Sequence, residues 1–233
     1  MHARHNRTTP QFESGVAAIA LLCGLFAAIG LPVFATPPPN PMNRAQNHGT
    51  YAQKLDAART AYFQVLTTGS RDADHAAHQA LSDLEHAFPG DPTAEVYHGS
   101  LELLDAAHDW QIWNLHRQAT DGLLRLDHAV AAAPDDAEIR FMRAATSWHL
   151  PAFYHRRPQC ESDFAWLSGR AVASARQGTL PPELAAASMN YWGRILVRRG
   201  QSDRARTAFQ QAIQIAPQSP GAQDAARRLR SLQ

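Results

Sequence analysis

The chain of 233 residues is long enough for one sizeable domain and a targeting segment. Its hydrophobic content of 45% is that of an ordinary folded protein, and its net charge of +1 gives no overall basic bias toward nucleic acid. Abundant Ala and few β-branched residues favour helix. Of the two cysteines, Cys23 lies in an apolar N-terminal run, so a processed chain would keep only Cys160 and could form no internal disulfide.

The N-terminal residues are typical of an export signal. Arg4 and Arg7 precede residues 15–35, which carry no charge, and Val33 and Ala35 supply the small residues of a cleavage site. We therefore expect residues 1–35 to be a signal peptide; the alternative is an uncleaved anchor, because about 20 apolar residues can span a bilayer. Both alternatives predict an exported chain. A cleaved signal would leave the chain in the periplasm, whereas an uncleaved anchor would hold it at the inner membrane through residues 15–35, facing the periplasm. Residues 36–48 are expected to form a Pro-rich linker.

From residue 49 onward the hydrophobic pattern has helical periodicity throughout. Apolar stripes and Pro or Gly breaks predict consecutive helices over about 50–67, 71–88, from residue 93 onward, over 110–132 and over 219–232. A third helical pair is predicted over 135–177, interrupted at Leu150-Pro151 and at the Arg156-Arg157-Pro158 loop. Pro92 and Pro134 are 42 residues apart, and Pro134 and Pro217 are 83 apart, which is close to twice that period. Such self-similarity indicates an array of helical hairpins.

The clearest unit lies between residues 189 and 217. Small, large and helix-ending residues follow one another at fixed spacing, and they are Gly193, Leu196, Gly200, Ala205, Phe209, Ala212 and Pro217. This spacing predicts two helices in close contact at Gly193, with Phe209 filling the space beside it, Gly200 ending the first helix, and Ser202 or Asp203 capping the second.

That pattern resembles the tetratricopeptide repeat (TPR). Residues 136–157 are also similar to a stretch of exported bacterial TPR-like proteins of no known activity. The resemblance implies an all-α, TPR-like α-α superhelix of about four helical hairpins plus a C-terminal capping helix, over residues 49–233. Elsewhere in the chain the agreement is looser, with hairpins longer than the usual repeat.

The same resemblance implies a ligand-binding face on the first helix of this unit. The family's ligand-facing positions fall on Asn190, Arg194, Val197 and Arg198. Asn190, Arg194 and Arg198 share one helix face, and two guanidinium groups with an amide suit a carboxylate. The alternative is a solvated helix face. Residues 184–233 carry eight Arg and two Asp, whereas residues 36–183 have a net charge of −6, so this unit is a cationic end on an anionic body.

A second arginine group lies in the third helical pair. Arg140 and Arg143 occupy positions that the repeat would make apolar, and buried arginines need partners, for which Asp127 and Asp163 are candidates. We expect a structural salt-bridge network; the alternative is a small-anion pocket between hairpins that Arg156 completes.

No motif predicts catalysis. The chain lacks a phosphate-binding glycine loop, a nucleophile elbow and paired Cys-x-x-Cys motifs. Asp74, His75 and His78 lie within one helical turn, with His86 further along, but no third clustered ligand follows from the sequence, so we expect no metal and no cofactor. The sequence thus predicts a non-catalytic interaction or scaffold module of the bacterial cell envelope, whose partner is another protein, an envelope protein or an acidic peptide segment, and no nucleic acid. The alternative is a receptor for a small anion, using Arg140, Arg143 and Arg156.

Overall fold

The structure, a computed structural model, describes residues 45–108 and 112–232. The predicted signal or anchor over residues 1–35 and most of the predicted linker lie outside these residues. The described chain is helical and contains no strand, so the prediction of an all-α protein is confirmed. Its ten α-helices are α1 (Ala45–Thr68), α2 (Arg71–Ala87), α3 (Pro92–His108), α4 (Ile112–Ala132), α5 (Ala137–Trp148), α6 (Arg157–Ser168), α7 (Ala171–Gln177), α8 (Pro182–Arg198), α9 (Ser202–Ile215) and α10 (Pro220–Arg230).

The first two helices form a packed pair joined by the turn at Gly69 and Ser70. Ser70 caps α2, since its Oγ accepts a hydrogen bond from the Ala73 backbone N–H, and Gly69 takes a left-handed φ of 58° that a residue with a side chain rarely adopts. The predicted apolar stripes face inward, and their buried members are Leu55, Ala58, Tyr62, Val65 and Leu66 on α1 and Ala77, Leu81 and Leu84 on α2. Helix α1 begins at Ala45, within the linker predicted over 36–48.

Helices α3 and α4 pack through their backbones. A Cβ built on Gly99 would lie 2.8 Å from the carbonyl oxygen of Gly122, and one built on Gly122 would lie 2.8 Å from the carbonyl oxygen of Gly99. Any side chain at either position would push the two helices apart. Gly99 and Gly122 are thus counterparts on the two facing helices.

The middle of the chain has shorter helices because prolines interrupt it. Helix α5 ends at Trp148, a 3₁₀ turn covers Ala152–Tyr154 after Pro151, and α6 starts with Pro158 in its first turn. Helix α5 packs on α3, α4 and α6, and α6 packs on α8. This placement brings the end of α5 and the start of α6 beside α8.

Helices α8, α9 and α10 close the described chain. A Cβ on Gly193 would lie 2.4 Å from the Phe209 ring, so these two residues form the predicted close contact between α8 and α9. Gly200 has a φ of 70° and follows the end of α8, as the pattern predicts. Helix α10 packs on both α9 and α8.

The predicted cap of α9 is wrong. Gln201 occupies the N-cap position and its side chain makes no capping hydrogen bond, while Ser202 and Asp203 lie inside the first turn. Asp203 nevertheless places a negative charge at the positive end of the helix dipole.

Across residues 45–108 and 112–232, no helix combines the length and the apolar character needed to cross a bilayer.

Candidate functional site

Trp148 lies at the end of α5 in an aromatic group contributed by three helices. Its ring meets Phe164 of α6 edge to face, with centroids 5.9 Å apart, and Tyr191 of α8 with centroids 5.2 Å apart. Phe164 and Tyr191 stack at 4.7 Å. The residue is only 5% exposed, so packing fixes the position of the indole.

Three guanidinium groups approach this one indole. The guanidinium carbon lies 4.5 Å from the ring centroid for Arg198, 4.7 Å for Arg157 and 5.1 Å for Arg194. Arg194 also lies 5.1 Å from the Tyr191 ring. These are cation–π distances. We call these five residues, Trp148, Tyr191, Arg157, Arg194 and Arg198, the Trp148 cluster.

The arginines of the Trp148 cluster form no ion pair within 4.0 Å in residues 45–108 and 112–232, where each such pair involves other cations. Burial lowers the pKa of Arg194, and burial together with the nearby charge of Arg157 lowers the pKa of Arg198. Asp224 and Glu161 act on Arg194 and Arg198 only from beyond ion-pairing distance. Like charges therefore converge on one ring without a directly paired carboxylate in the described residues, which favours an anion brought by another molecule.

The same positive charges act on the neighbouring His149. Burial is the main cause that lowers the pKa of His149 to about 4, and the charges of Arg194 and Arg157 lower it further. The imidazole is consequently neutral at pH 7, and its Nε2 lies 3.3 Å from the Tyr191 hydroxyl. The protonated form is disfavoured because it would add a fourth cation to the Trp148 cluster.

Two clefts flank the Trp148 cluster. One, of about 170 Å³, has Arg194, Val197 and Arg198 on its α8 wall and Arg228 of α10 opposite. The other, of about 210 Å³, lies between the end of α5 and the start of α6 and has Trp148 and Arg157 in its wall. Arg194 and Arg198 thus border the first cleft and Arg157 borders the second, whereas the sequence placed the binding face on α8 alone.

Asn190, the third predicted residue of the α8 face, is engaged elsewhere. Its side-chain amide donates a hydrogen bond of 3.0 Å to Asp224 of α10, and its residue is only 5% exposed. Burial would raise the pKa of Asp224, but hydrogen bonds from Arg228 and Asn190 outweigh it and hold that pKa below its ordinary value. Asn190 therefore fixes α10 against α8, and the structure groups only Arg194 and Arg198 of the predicted trio on the indole.

The second predicted arginine group is fully paired. Arg143 binds Asp163 with both Nε and Nη2 at 2.8 Å, and Arg140 binds the same carboxylate at 2.8 Å. Arg156 binds Asp127 at 2.6 Å, and Arg143 reaches that second carboxylate at 3.3 Å. Asp163 has no exposed surface. This network joins α4, α5 and α6 and matches the structural reading of these arginines rather than an open anion pocket.

The structure contains a further polar network, centred on Glu138, that the sequence did not predict. Glu138 of α5 is 4% exposed and accepts hydrogen bonds from Nε of Arg59 at 2.7 Å and from the Tyr97 hydroxyl at 2.8 Å. Burial would lower the pKa of Arg59, but the charge of Glu138 outweighs it and raises that pKa. The three residues belong to α5, α1 and α3, so no local pattern in the sequence connects them.

The residues with metal-binding chemistry lie far along the chain from the Trp148 cluster. Asp74, His78 and Asp105, on α2 and α3, form the group within the described residues whose side chains could share one ion. His75 is exposed, and His86 contacts only its own helix, through Ser82. Cys160 is buried, and burial raises the pKa of its thiol to about 12, so it is not a nucleophile at neutral pH.

The fold and the site together define an all-helical protein in which three arginines without a directly paired carboxylate in the described residues lie over a buried aromatic group. No protein-family model matches the chain, and neither the curated proteins nor the solved structures contain a match to it. The physical properties of the site are therefore the basis for assigning a function.

Proposed function

We propose that this chain is a non-catalytic interaction module of the bacterial cell envelope, which holds an acidic segment of another protein. The observation that carries the proposal is the Trp148 cluster, in which Arg157, Arg194 and Arg198 surround one indole without an acidic partner among the described residues. Elsewhere the chain pairs its buried arginines with carboxylates, as it does for Arg143. A carboxylate of a partner protein would supply the missing charge.

The proposed architecture is a TPR-like α-α superhelix of about four hairpins, with α10 as the capping helix. The packed pairs α1/α2, α3/α4 and α8/α9 support it, as does the contact of Gly193 with Phe209 at the spacing found in TPR units. Helix α10 covers α8 and α9, which is the position of a cap. Repeat arrays of this kind serve recognition by extended surfaces.

A protein segment suits the two clefts better than a small ligand does. Their volumes of about 170 and 210 Å³ are below the roughly 300 Å³ at which pockets for drug-sized molecules begin. A segment that crosses from one cleft to the other would meet all three guanidinium groups. Exposed apolar side chains lie nearby in sequence, Val197 on one side and Phe153 on the other, and would contact the segment's apolar residues.

The envelope location rests on residues 1–35. Arg4 and Arg7 before an uncharged run of 21 residues are typical of an exported chain. The partner would then be an envelope protein with an acidic, accessible stretch. Fusion of residues 1–48 to a reporter that is active only after export tests this part, and a reporter retained in the cytosol would contradict it.

Crosslinking in intact cells followed by mass spectrometry tests the interaction itself. A photo-crosslinking residue at Val197 should capture a protein through a stretch rich in Asp or Glu. The double variant Arg194→Glu/Arg198→Glu should abolish that capture, because it replaces two cations by two anions at the cluster. Arg204→Glu/Arg230→Glu is the matched control, since both residues are exposed, lie in the same cationic half and change the net charge equally.

A further variant separates the Trp148 cluster from the single α8 face. Arg157→Glu changes a different helix and should also abolish capture if the segment contacts all three arginines. Equal capture by the wild type and Arg194→Glu/Arg198→Glu would refute the proposal. An equal loss of capture in the control Arg204→Glu/Arg230→Glu would show that net charge alone causes the effect, and would refute a specific binding site at the Trp148 cluster.

A further inference from the structure

Two helices at the other end of the described chain bring a histidine and two carboxylates together. Asp74 and His78 lie four residues apart on α2, hence on one face of the helix, and Asp105 reaches them from α3. His78 Nε2 is 2.9 Å from Asp105 Oδ2 and 3.9 Å from Asp74 Oδ1. The three ligand atoms all lie within 4.8 Å of one another.

These separations are close to those of a zinc site. Bonds of about 2.0–2.2 Å to nitrogen and oxygen in a tetrahedron place the ligand atoms about 3.3 Å apart. The two distances from His78 Nε2 lie on either side of that value. The two carboxylate oxygens lie within 4.8 Å of one another, so coordination of all three atoms requires them to move toward the same separation. The side chains are 32–39% exposed, which leaves them room to adjust and leaves the ion a path from solvent.

The charge of the group also favours a cation. One protonated imidazole would neutralise only one of the two carboxylates. A third carboxylate, that of Glu102, lies near enough on α3 to interact electrostatically with His78. Its Oε1 pairs with Nε of Arg125 at 3.0 Å, and its Oε2 is buried without a hydrogen-bond partner in the described part of the chain. Arg125 therefore offsets the charge of Glu102, and a divalent ion would match the two charges of Asp74 and Asp105 where a single imidazolium does not.

We propose that Asp74, His78 and Asp105 form a binding site for a divalent zinc-class ion. His78 coordinates through Nε2, each Asp supplies one carboxylate oxygen, and water completes the tetrahedron. Since the ligands come from two helices, the ion links α2 to α3. The proposal is independent of the Trp148 cluster, because it uses different helices and a ligand of opposite charge.

Isothermal titration of the full chain with Zn²⁺, combined with NMR of the histidine rings, tests the site. Zn²⁺ should shift the ring signals of His78 and raise the melting temperature, since ligand binding to the folded state stabilises it. Asp105→Asn and Asp74→Asn should each lower the affinity of that site by at least about tenfold, because even the loss of an outer-shell partner costs about 10- to 100-fold in metal affinity. Circular dichroism checks that each variant keeps its helix content.

Two matched controls distinguish the site from ordinary surface histidines. His75→Asn removes an exposed imidazole from the same helix, and Glu95→Gln removes the acid from the His128–Glu95 pair, which has a histidine and a single carboxylate. Neither change should affect the His78 ring shifts. Unchanged His78 signals at saturating Zn²⁺, or equal affinity in Asp105→Asn and Glu95→Gln, would overturn the proposal.

Discussion

Arg143 and Arg198 allow a direct test of which arginines stabilise the fold and which are left for a partner. Arg143 donates two hydrogen bonds to Asp163, a carboxylate with no exposed surface, and Arg140 donates a third. Each charge-assisted bond contributes about 1.5–3 kcal/mol, and a buried charge that loses a partner costs about 3–5 kcal/mol. Since Arg140 remains, Arg143→Gln should lower the free energy of unfolding by about 3 kcal/mol.

Arg198→Gln is the matched substitution at an exposed arginine without an acidic partner in the described chain. It loses only a cation–π contact with Trp148, so the free energy of unfolding should fall by less than about 1 kcal/mol. Urea unfolding followed by far-UV circular dichroism measures the free energy of unfolding of both variants. An unchanged dependence of that free energy on urea concentration shows that the variants expose the same surface on unfolding. Partner capture should show the reverse order, with Arg198→Gln the more affected. Equal losses of stability in the two variants would refute the division of the arginines into structural and binding groups.

Three further predictions follow from the packing and the ionisation of particular residues. Gly193→Ala places a methyl group against the Phe209 ring and should lower the free energy of unfolding in urea by about 1–3 kcal/mol, whereas a neutral effect would contradict the close helix contact. Glu138→Ala leaves Arg59 without its buried partner and should lower the free energy of unfolding, measured by thermal denaturation, by about 3–5 kcal/mol. A decrease of less than about 1 kcal/mol would contradict the network. The pKa of His149, lowered from 6.5 to about 4, should make stability fall as the pH drops from about 6.5 to 4, because only the unfolded chain then binds the proton. This contribution, about 3 kcal/mol at most, should be absent from His149→Gln when urea midpoints of the two proteins are compared across that range, and identical pH profiles would contradict it.

The helices themselves were predictable because their signals are local. Pro, Gly and the apolar period located the breaks at Gly69, Pro134 and Gly200 to within a few residues. The contact of Gly193 with Phe209 also followed from spacing, since two helices joined by a short turn must place these positions opposite each other. The cap of α9 was not predicted correctly. Ser202 and Asp203 are both residue types that cap helices, but α9 starts earlier than either would require, with Gln201 at the N-cap position.

The Trp148 cluster could be predicted only in part because it is assembled from three helices. Arg194 and Arg198 were predicted from one helix face, but Arg157 and Trp148 lie on other elements, and only packing brings them to the same place. The pairing of Arg140 and Arg143 with Asp163 was foreseeable as a possibility, since buried arginines require partners. Glu138 and Arg59 are 79 residues apart in the sequence, so no local spacing pattern predicts their contact.

The contrast between the two arginine groups has a physical consequence for binding. A fully paired guanidinium such as that of Arg143 gains little from a new carboxylate, because its existing bonds to Asp163 would have to be broken first. The guanidinium of Arg198 loses only a weak contact with the indole and gains a charge-assisted hydrogen bond. The indole meanwhile keeps the group in place, so less side-chain entropy is lost when a partner arrives. An acidic segment should therefore bind at the Trp148 cluster and leave the Asp163 network intact, although both contain several arginines.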